Sequence, residues 1–241
     1  EAAGLLAGAI VVASEAHHAG LRACVAEFFP QAQVHFVIGG AERQDSVANG
    51  LAALDADTAI VAIHDAARPF ASPDLIGRSI ETAYAKGAAI PAISVIDTIK
   101  KTDHSGIIID TPARRDLKAV QTPQAFKFDV LLDAHRKAAA AGRSDFTDDA
   151  SLAEWAGARV NVFEGDPRNI KLTTPDDFLR AEAEAQEIEN ELDTAFDAET
   201  QVALAWFATY GFDARASGEL ITLANAKNVV SGKRHLEKAA N

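Results

Sequence analysis

The chain has 241 residues, 48% of them apolar, which is enough for one sizeable domain with an appendage or for two small ones, and too apolar for wholesale disorder. Its net charge of −12 would repel a phosphate backbone, so generic nucleic-acid binding is excluded, while a small phosphorylated ligand needs only a local cluster of cations. No apolar run reaches the roughly 18 residues that cross a bilayer, and the single cysteine, Cys24, has no internal partner, so no membrane role and a reducing cytoplasm are expected.

Residues 1–13 are apolar but carry no basic segment, which makes them a poor signal peptide. With no methionine anywhere, the start reads as a truncation. Residues 9–13 then read as a buried strand, 17–29 as a helix, 34–38 as a strand ending in Gly39-Gly40, and 44–54 as a helix. Residues 58–63 form a third predicted strand ending in His64-Asp65, followed by a helix over 73–86 and a strand over 88–94. This strand–helix alternation predicts an α/β fold with a doubly wound, mostly parallel sheet. Ligands in such sheets sit at the carboxyl ends of the strands, so Gly39-Gly40, His64-Asp65 and the segment after Ser94 are the places to inspect.

The alternation breaks at 97–120. Residues 98–102, a turn at Asp103-His104-Ser105-Gly106 and residues 107–109 predict a projecting β-hairpin, whose exposed edges require a cover. Helices are predicted over 129–141 and 148–156, a strand over 159–164, and a helix from Pro175. Beyond 184 the chain turns acidic and helical, then aromatic, then basic. We expect one domain over 1–190 and a helical tail of unknown role over 191–241.

Five segments carry candidate chemistry. Gly39-Gly40 leads into Arg43-Gln44-Asp45-Ser46-Val47, where glycines permit close backbone approach and helix-terminal N–H groups favour anions. A plain capped turn explains it equally well. In His64-Asp65-Ala66-Ala67-Arg68-Pro69 the acid at a strand end suits a ribose hydroxyl or a metal-bound phosphate, Arg68 either serves the site or pairs with Asp65, and His64 alone reads as structural. Gln121-Thr122-Pro123-Gln124-Ala125-Phe126 places polar side chains where burial is costly unless they are paired. Thr147-Asp148-Asp149-Ala150 reads as a helix start with Thr147 as cap. In Asn169-Ile170-Lys171-Leu172-Thr173 the lysine stands between apolar neighbours, a point charge suited to a phosphate.

In this order and spacing, the five segments resemble the 2-C-methyl-D-erythritol 4-phosphate cytidylyltransferases, over roughly residues 9–184. Phe146-Thr147-Asp148-Asp149-Ala150 is similar to the bifunctional proteins that join this enzyme to the cyclodiphosphate synthase. The resemblance implies a Rossmann-like nucleotidyltransferase fold with a β-arm, matched by about 98–120, that swaps contacts in a homodimer. It implies CTP and a sugar-alcohol phosphate as substrates, release of pyrophosphate, and Mg2+ on the CTP phosphates. Gly40 and Ser46 would meet the cytosine, with Gly39 also binding the nucleotide; Asp65 and Ala66 would stand at the ribose and metal side, with Asp65 as the metal ligand. Thr98, Arg114, Thr147 and Arg68 would serve the acceptor, Thr98 and Arg114 reaching it from the partner's arm. Lys171 and Arg114 would be the catalytic cations.

The resemblance also implies an opening strand and a Gly-rich loop bearing an Arg and a Lys that cradle the triphosphate. Nothing before Val34 reads that way, and residues 9–29 match the family's next strand and helix, so that cradle is expected to be absent and turnover reduced. Two alternatives stand beside the main expectation: a ribitol-5-phosphate cytidylyltransferase, and a non-catalytic dimerising remnant. Residues 200–228 resemble a C-terminal piece of phage-defence DNA adenine methylases, without methylase chemistry of their own.

Overall fold

The computed structural model describes residues 6–30, 32–192 and 219–224. Strand β1 (Gly8–Ala13), helix α1 (Glu15–Phe28), β2 (Val34–Ile38), α2 (Arg43–Ala52), β3 (Ile60–Asp65), α3 (Pro73–Lys86) and β4 (Ala88–Ser94) follow in alternation. The arm strands β5 (Lys101–Thr102) and β6 (Ile108–Asp110) come next, then β7 (Lys118–Val120) and β8 (Gln124–Lys127). Helices α4 (Phe128–Ala140) and α5 (Asp149–Trp155), strand β9 (Asn161–Glu164), helix α6 (Pro175–Leu192) and strand β10 (Glu219–Ala224) complete the order.

Local chemistry explains the boundaries. Ser72 caps α3 by accepting from Leu75 N–H, Pro73 fills the first turn, and Gly87 ends the helix with φ of 95°. The arm turns where Asp103 Oδ1 accepts from the Ser105 and Ile107 N–H groups and Gly106 takes φ of 85°. Asp148, not Thr147, caps α5: its Oδ1 accepts from Ser151 N–H at 2.9 Å. Asp148 is extended (φ −155°, ψ 173°), as a cap must be, so the expected boundary moves by one residue.

The main sheet has the order β2-β1-β10-β3-β8-β4-β7, with β9 paired to β4. β1 pairs in parallel with β2, and β4 with β9; all other neighbours are antiparallel. The strands of the alternating units, β1, β2, β3, β4 and β9, therefore share one direction, and β10, β8 and β7 run against them. The expected parallel set is present, but interleaved strands make most adjacent pairs antiparallel. The expectation of a wholly helical tail is corrected: α6 does run on to Leu192, but Glu219–Ala224 is a strand inside the sheet. The rest of the tail, 193–218 and 225–241, lies outside the described residues.

The core follows the two-residue period of the strands. Val61 and Ile63 of β3 face Val47 and Leu51 of α2 and Phe128 and Leu131 of α4. Ile60 and Ala62 face Ile80 and Ala83 of α3 on the other side. β8 divides the same way, Phe126 to the first cluster and Ala125 to the second. Helices thus cover both faces. A third cluster, Phe70, Leu172 and Ala181, docks α6 beside the turn after β3 and so places Lys171 near that strand end.

Candidate active site

A cleft of about 910 Å3 opens at the carboxyl ends of β1, β2 and β3. Its lining includes Ser14, Gly39, Gly40, Arg43, Ser46, Asp65, Arg68, Thr122, Thr147 and Lys171. Of the expected site residues, Gly39, Gly40, Ser46, Asp65, Arg68, Thr147 and Lys171 meet in this one space. Ala66, half-buried beside Asp65, is not part of the wall; Thr98 and Arg114 lie exposed on the arm, where the Arg114 guanidinium donates to the Ile96 carbonyl at 2.5 Å.

The Gly39-Gly40 wall is tightly built. Gly40 N–H donates to Ser46 Oγ at 3.1 Å, closing the turn from β2 onto α2. A Cβ on Gly40 would stand 2.2 Å from Asp45 Cβ, so only glycine permits this approach. Glu42 N–H donates to Asp45 Oδ2, which fixes the first turn of α2.

At the end of β3, Lys171 Nζ stands 2.7 Å from Asp65 Oδ2, and Arg68 Nε stands 4.0 Å from the same oxygen. Arg68 spends its guanidinium on main-chain carbonyls, donating to Asn169 O at 2.7 Å and Val120 O at 3.4 Å. These contacts clamp the segment that carries Lys171, a role beyond the two read from the sequence, while the side chain also lines the cleft. Burial pulls Arg68 below its ordinary pKa, and Asp65 partly offsets that.

His64 lies underneath, buried. Thr122 Oγ1 accepts from Asp65 N–H at 3.0 Å and stands 3.0 Å from His64 Nδ1. Nε2 stands 2.9 Å from Arg68 O, which can only accept, so the neutral ring carries its proton on Nε2 and Nδ1 accepts from the Thr122 hydroxyl. Burial holds the imidazole pKa below its usual value, against the opposing pull of the Arg68 carbonyl and Asp65. A neutral histidine thus orients the threonine that holds Asp65 in place, the structural role read from the sequence.

The polar segment around the cis Thr122-Pro123 bond is fully paired. Gln121 Nε2 donates to Asp166 O at 2.8 Å, and its Oε1 accepts from Asp166 N–H at 3.0 Å. Gln124 Nε2 donates to Asp148 Oδ2 at 2.8 Å, and its Oε1 accepts from Ala150 N–H at 3.1 Å. These glutamines frame the site.

One cluster was not foreseen. Asp149, 1% exposed, pairs with Arg43 at 2.7 Å, and its other oxygen stands 3.6 Å from His135 Nε2. Burial pushes the Asp149 carboxyl up, but the Arg43 cation, with His135, outweighs it and holds the pKa below the usual range. A signal existed: Asp149 shares a helical face with Leu152, Ala153 and Ala156, an acid on an apolar stripe.

Residues 5–187 match the family model described as 2-C-methyl-D-erythritol 4-phosphate cytidylyltransferase. The chain belongs to this family. It is 62% identical over 146 residues to the bifunctional enzyme IspD/IspF of Nitrobacter winogradskyi, covering 60% of this chain and 37% of that protein. The counterpart in Bradyrhizobium diazoefficiens is 60% identical over the same length. The chain thus spans little more than a third of these curated relatives. Among solved structures, the 4-diphosphocytidyl-2C-methyl-D-erythritol synthase of Anaerococcus prevotii superposes with a TM-score of 0.66 at 32% identity, covering 73% of this chain and 78% of that one. The 2-C-methyl-D-erythritol 4-phosphate cytidylyltransferase of Thermus thermophilus gives 0.59 at 37%, covering 64% and 74%. Residues 197–239 match a separate family, a domain of unknown function. The cytidylyltransferase family match therefore ends ahead of β10, which falls within the second match.

Proposed function

We propose that this cytidylyltransferase-family chain binds CTP and 2-C-methyl-D-erythritol 4-phosphate in the cleft and joins them with release of pyrophosphate. The observation that carries the reading is the meeting of Gly40, Ser46, Asp65, Thr147 and Lys171 around one space, on a chain whose family match covers residues 5–187. An oxygen of the acceptor phosphate forms the new bond to the CTP α-phosphorus, and the bond to the β-phosphate breaks in line.

Positioning and charge neutralisation do most of the work in such a step. The Gly39-Gly40 backbone and Ser46 would hold the cytosine. Lys171 would leave Asp65 for a phosphate oxygen, and Thr147 would orient the acceptor. Asp65, a carboxylate at the strand end on the cleft wall, would hold Mg2+ as a single protein ligand to an ion bound mainly by substrate phosphates. The ion, when bound, supplies charge neutralisation between phosphate oxygens.

The arm supports a homodimer. Ile96 is 81% exposed, and Ile107, Ile108 and Ile109 are each more than half exposed, an apolar surface in need of a cover. Thr98 and Arg114 on that arm would reach the partner's acceptor site. No helix among the described residues is long and apolar enough to cross a membrane. With one cysteine, a reducing cytoplasm is the compartment we propose.

The test is pyrophosphate release from purified chain with CTP, Mg2+ and methylerythritol phosphate, beside a parallel arm with ribitol 5-phosphate. Release with the first acceptor supports the reading. Release with ribitol 5-phosphate alone reassigns the acceptor, and no heat of CTP binding in a calorimeter leaves a dimerising remnant.

A further inference from the structure

Strand β10 is built into the middle of the main sheet. This strand lies within the 197–239 match, outside the 5–187 cytidylyltransferase match, yet it sits between β1 and β3 in the interior of the sheet. It pairs antiparallel with β1 from Gly8↔Leu223 to Val12↔Glu219, and with β3 from Ile60↔Ala224 to Asp65↔Glu219. Among the described residues, β1 and β3 pair with no other strand on these edges.

The register has a consequence for the cleft. The Glu219 backbone stands between Val12 and Asp65, and both of those residues line the cleft. Beyond Val12, β1 leads to Ala13 and Ser14, also on the wall, and Gly39 N–H donates to Ala13 O at 2.9 Å. The end of β1 therefore carries the Gly39-Gly40 wall, and the end of β3 carries Asp65. One strand between them sets their separation at two strand spacings, about 9.6 Å. Without it, two strands of the same direction would either close to a single spacing, about 4.8 Å, or leave two rows of N–H and C=O groups unpaired in the middle of a sheet. The first outcome closes the cleft floor, and the second opens the sheet.

We infer that Glu219–Ala224 is a spacer strand: the chain's own tail docks into the β1–β3 slot by strand addition and sets the width of the nucleotide cleft. The occupant is this segment of the same chain, and its recognition is main-chain pairing along both edges. The strand addition stands apart from the cytidylyltransferase reading; its effect on CTP rests on that reading.

Hydrogen exchange on the full chain tests it. The Glu219–Ala224 amides should exchange about 100-fold or more slowly than in an unstructured peptide, together with those of β1 and β3. Free-peptide exchange at 219–224 beside a protected β3 overturns the inference. Ile221→Pro removes a ladder N–H in mid-strand. It should speed exchange in Gly8–Ala13 and Ile60–Asp65 while α3 and α4 stay protected, and weaken CTP binding about tenfold or more. Unchanged exchange in β1 and β3 overturns the spacer. Ile221→Gly keeps the N–H and should give a smaller change in the same direction, which covers a proline variant that does not fold. If the wild type is protected at 219–224 but binds no CTP, the strand addition is upheld and the CTP reading falls. For the source of the strand, Thr222→Cys with Ala62→Cys in a Cys24→Ser background should close a disulfide within one chain. A covalent dimer would assign the strand to a second copy and overturn the same-chain docking.

Discussion

Lys171 Nζ stands 2.7 Å from Asp65 Oδ2, so the cation expected to meet a phosphate and the acid expected to meet a metal face each other as an ion pair on the cleft wall. The lysine side chain is 46% exposed, so solvent screens the pair and its net worth is at most about 1 kcal/mol. A triphosphate and a divalent ion can therefore take over both partners at little cost. Lys171→Met should change the denaturation midpoint only slightly while lowering pyrophosphate release about 100-fold or more. A large loss of stability with unchanged turnover would make the pair structural instead.

Gly40→Ala tests the opposite wall. The added methyl would stand 2.2 Å from Asp45 Cβ, and Asp45 sits in the first turn of α2. The turn must open, which separates Gly40 N–H from Ser46 Oγ. Overpacking of this kind costs about 1–3 kcal/mol. CTP affinity measured by calorimetry should fall by tenfold or more, and unchanged affinity would remove this turn from the nucleotide site.

These two walls were legible in the sequence for different reasons. Gly39-Gly40 and Asp65 end apolar runs, and the alternation of runs and amphipathic stretches already placed those ends on one edge of a sheet. Lys171 was legible because apolar neighbours fix its backbone; Leu172 proves to be fully buried and bonded through its N–H to Ala67 O. The glutamine frame was legible only in part: the sequence showed that Gln121 and Gln124 needed partners, but the partners lie in segments far away in the chain. Asp149 was masked by its position in a helix first turn, where an acid needs no further explanation. The strand at 219–224 was hidden because six apolar-rich residues fit a strand or a buried helix equally well. Only long-range pairing distinguishes the two, and that pairing also breaks up the parallel order that local alternation predicts.

Asp149 invites a double-mutant test. Asp149→Leu takes a buried acceptor from beside Arg43 and His135 and should cost about 1–3 kcal/mol. Replacing both ends with apolar groups removes the desolvation penalty along with the pair. Arg43→Met with Asp149→Leu should therefore recover at least half of the stability lost by the single change, measured as denaturant midpoints. If the double variant is simply the sum of the singles, the two residues do not act as a pair.

His64 sets a pH dependence. In the folded chain burial keeps its pKa below the ordinary value, so it stays neutral, while in the unfolded chain it takes a proton near about 6.5. Below that pH the unfolded state holds more protons, so stability falls as pH falls. Its contribution is complete above the unfolded pKa and is lost as pH drops through the folded one. Asp149, with a depressed carboxyl pKa, adds a loss of the same sign in a lower window, below the unfolded Asp value of about 3.9. Urea midpoints at pH 7.5, 6.5 and 5.5 separate these two side chains, because that range spans the unfolded histidine value of about 6.5 and lies above the unfolded Asp value of about 3.9. The wild type should lose stability from the second to the third pH. His64→Gln should be less stable at pH 7.5, since Thr122 loses its partner, yet show the shallower slope. Equal slopes would mean that protonation of His64 is not what the folded chain resists.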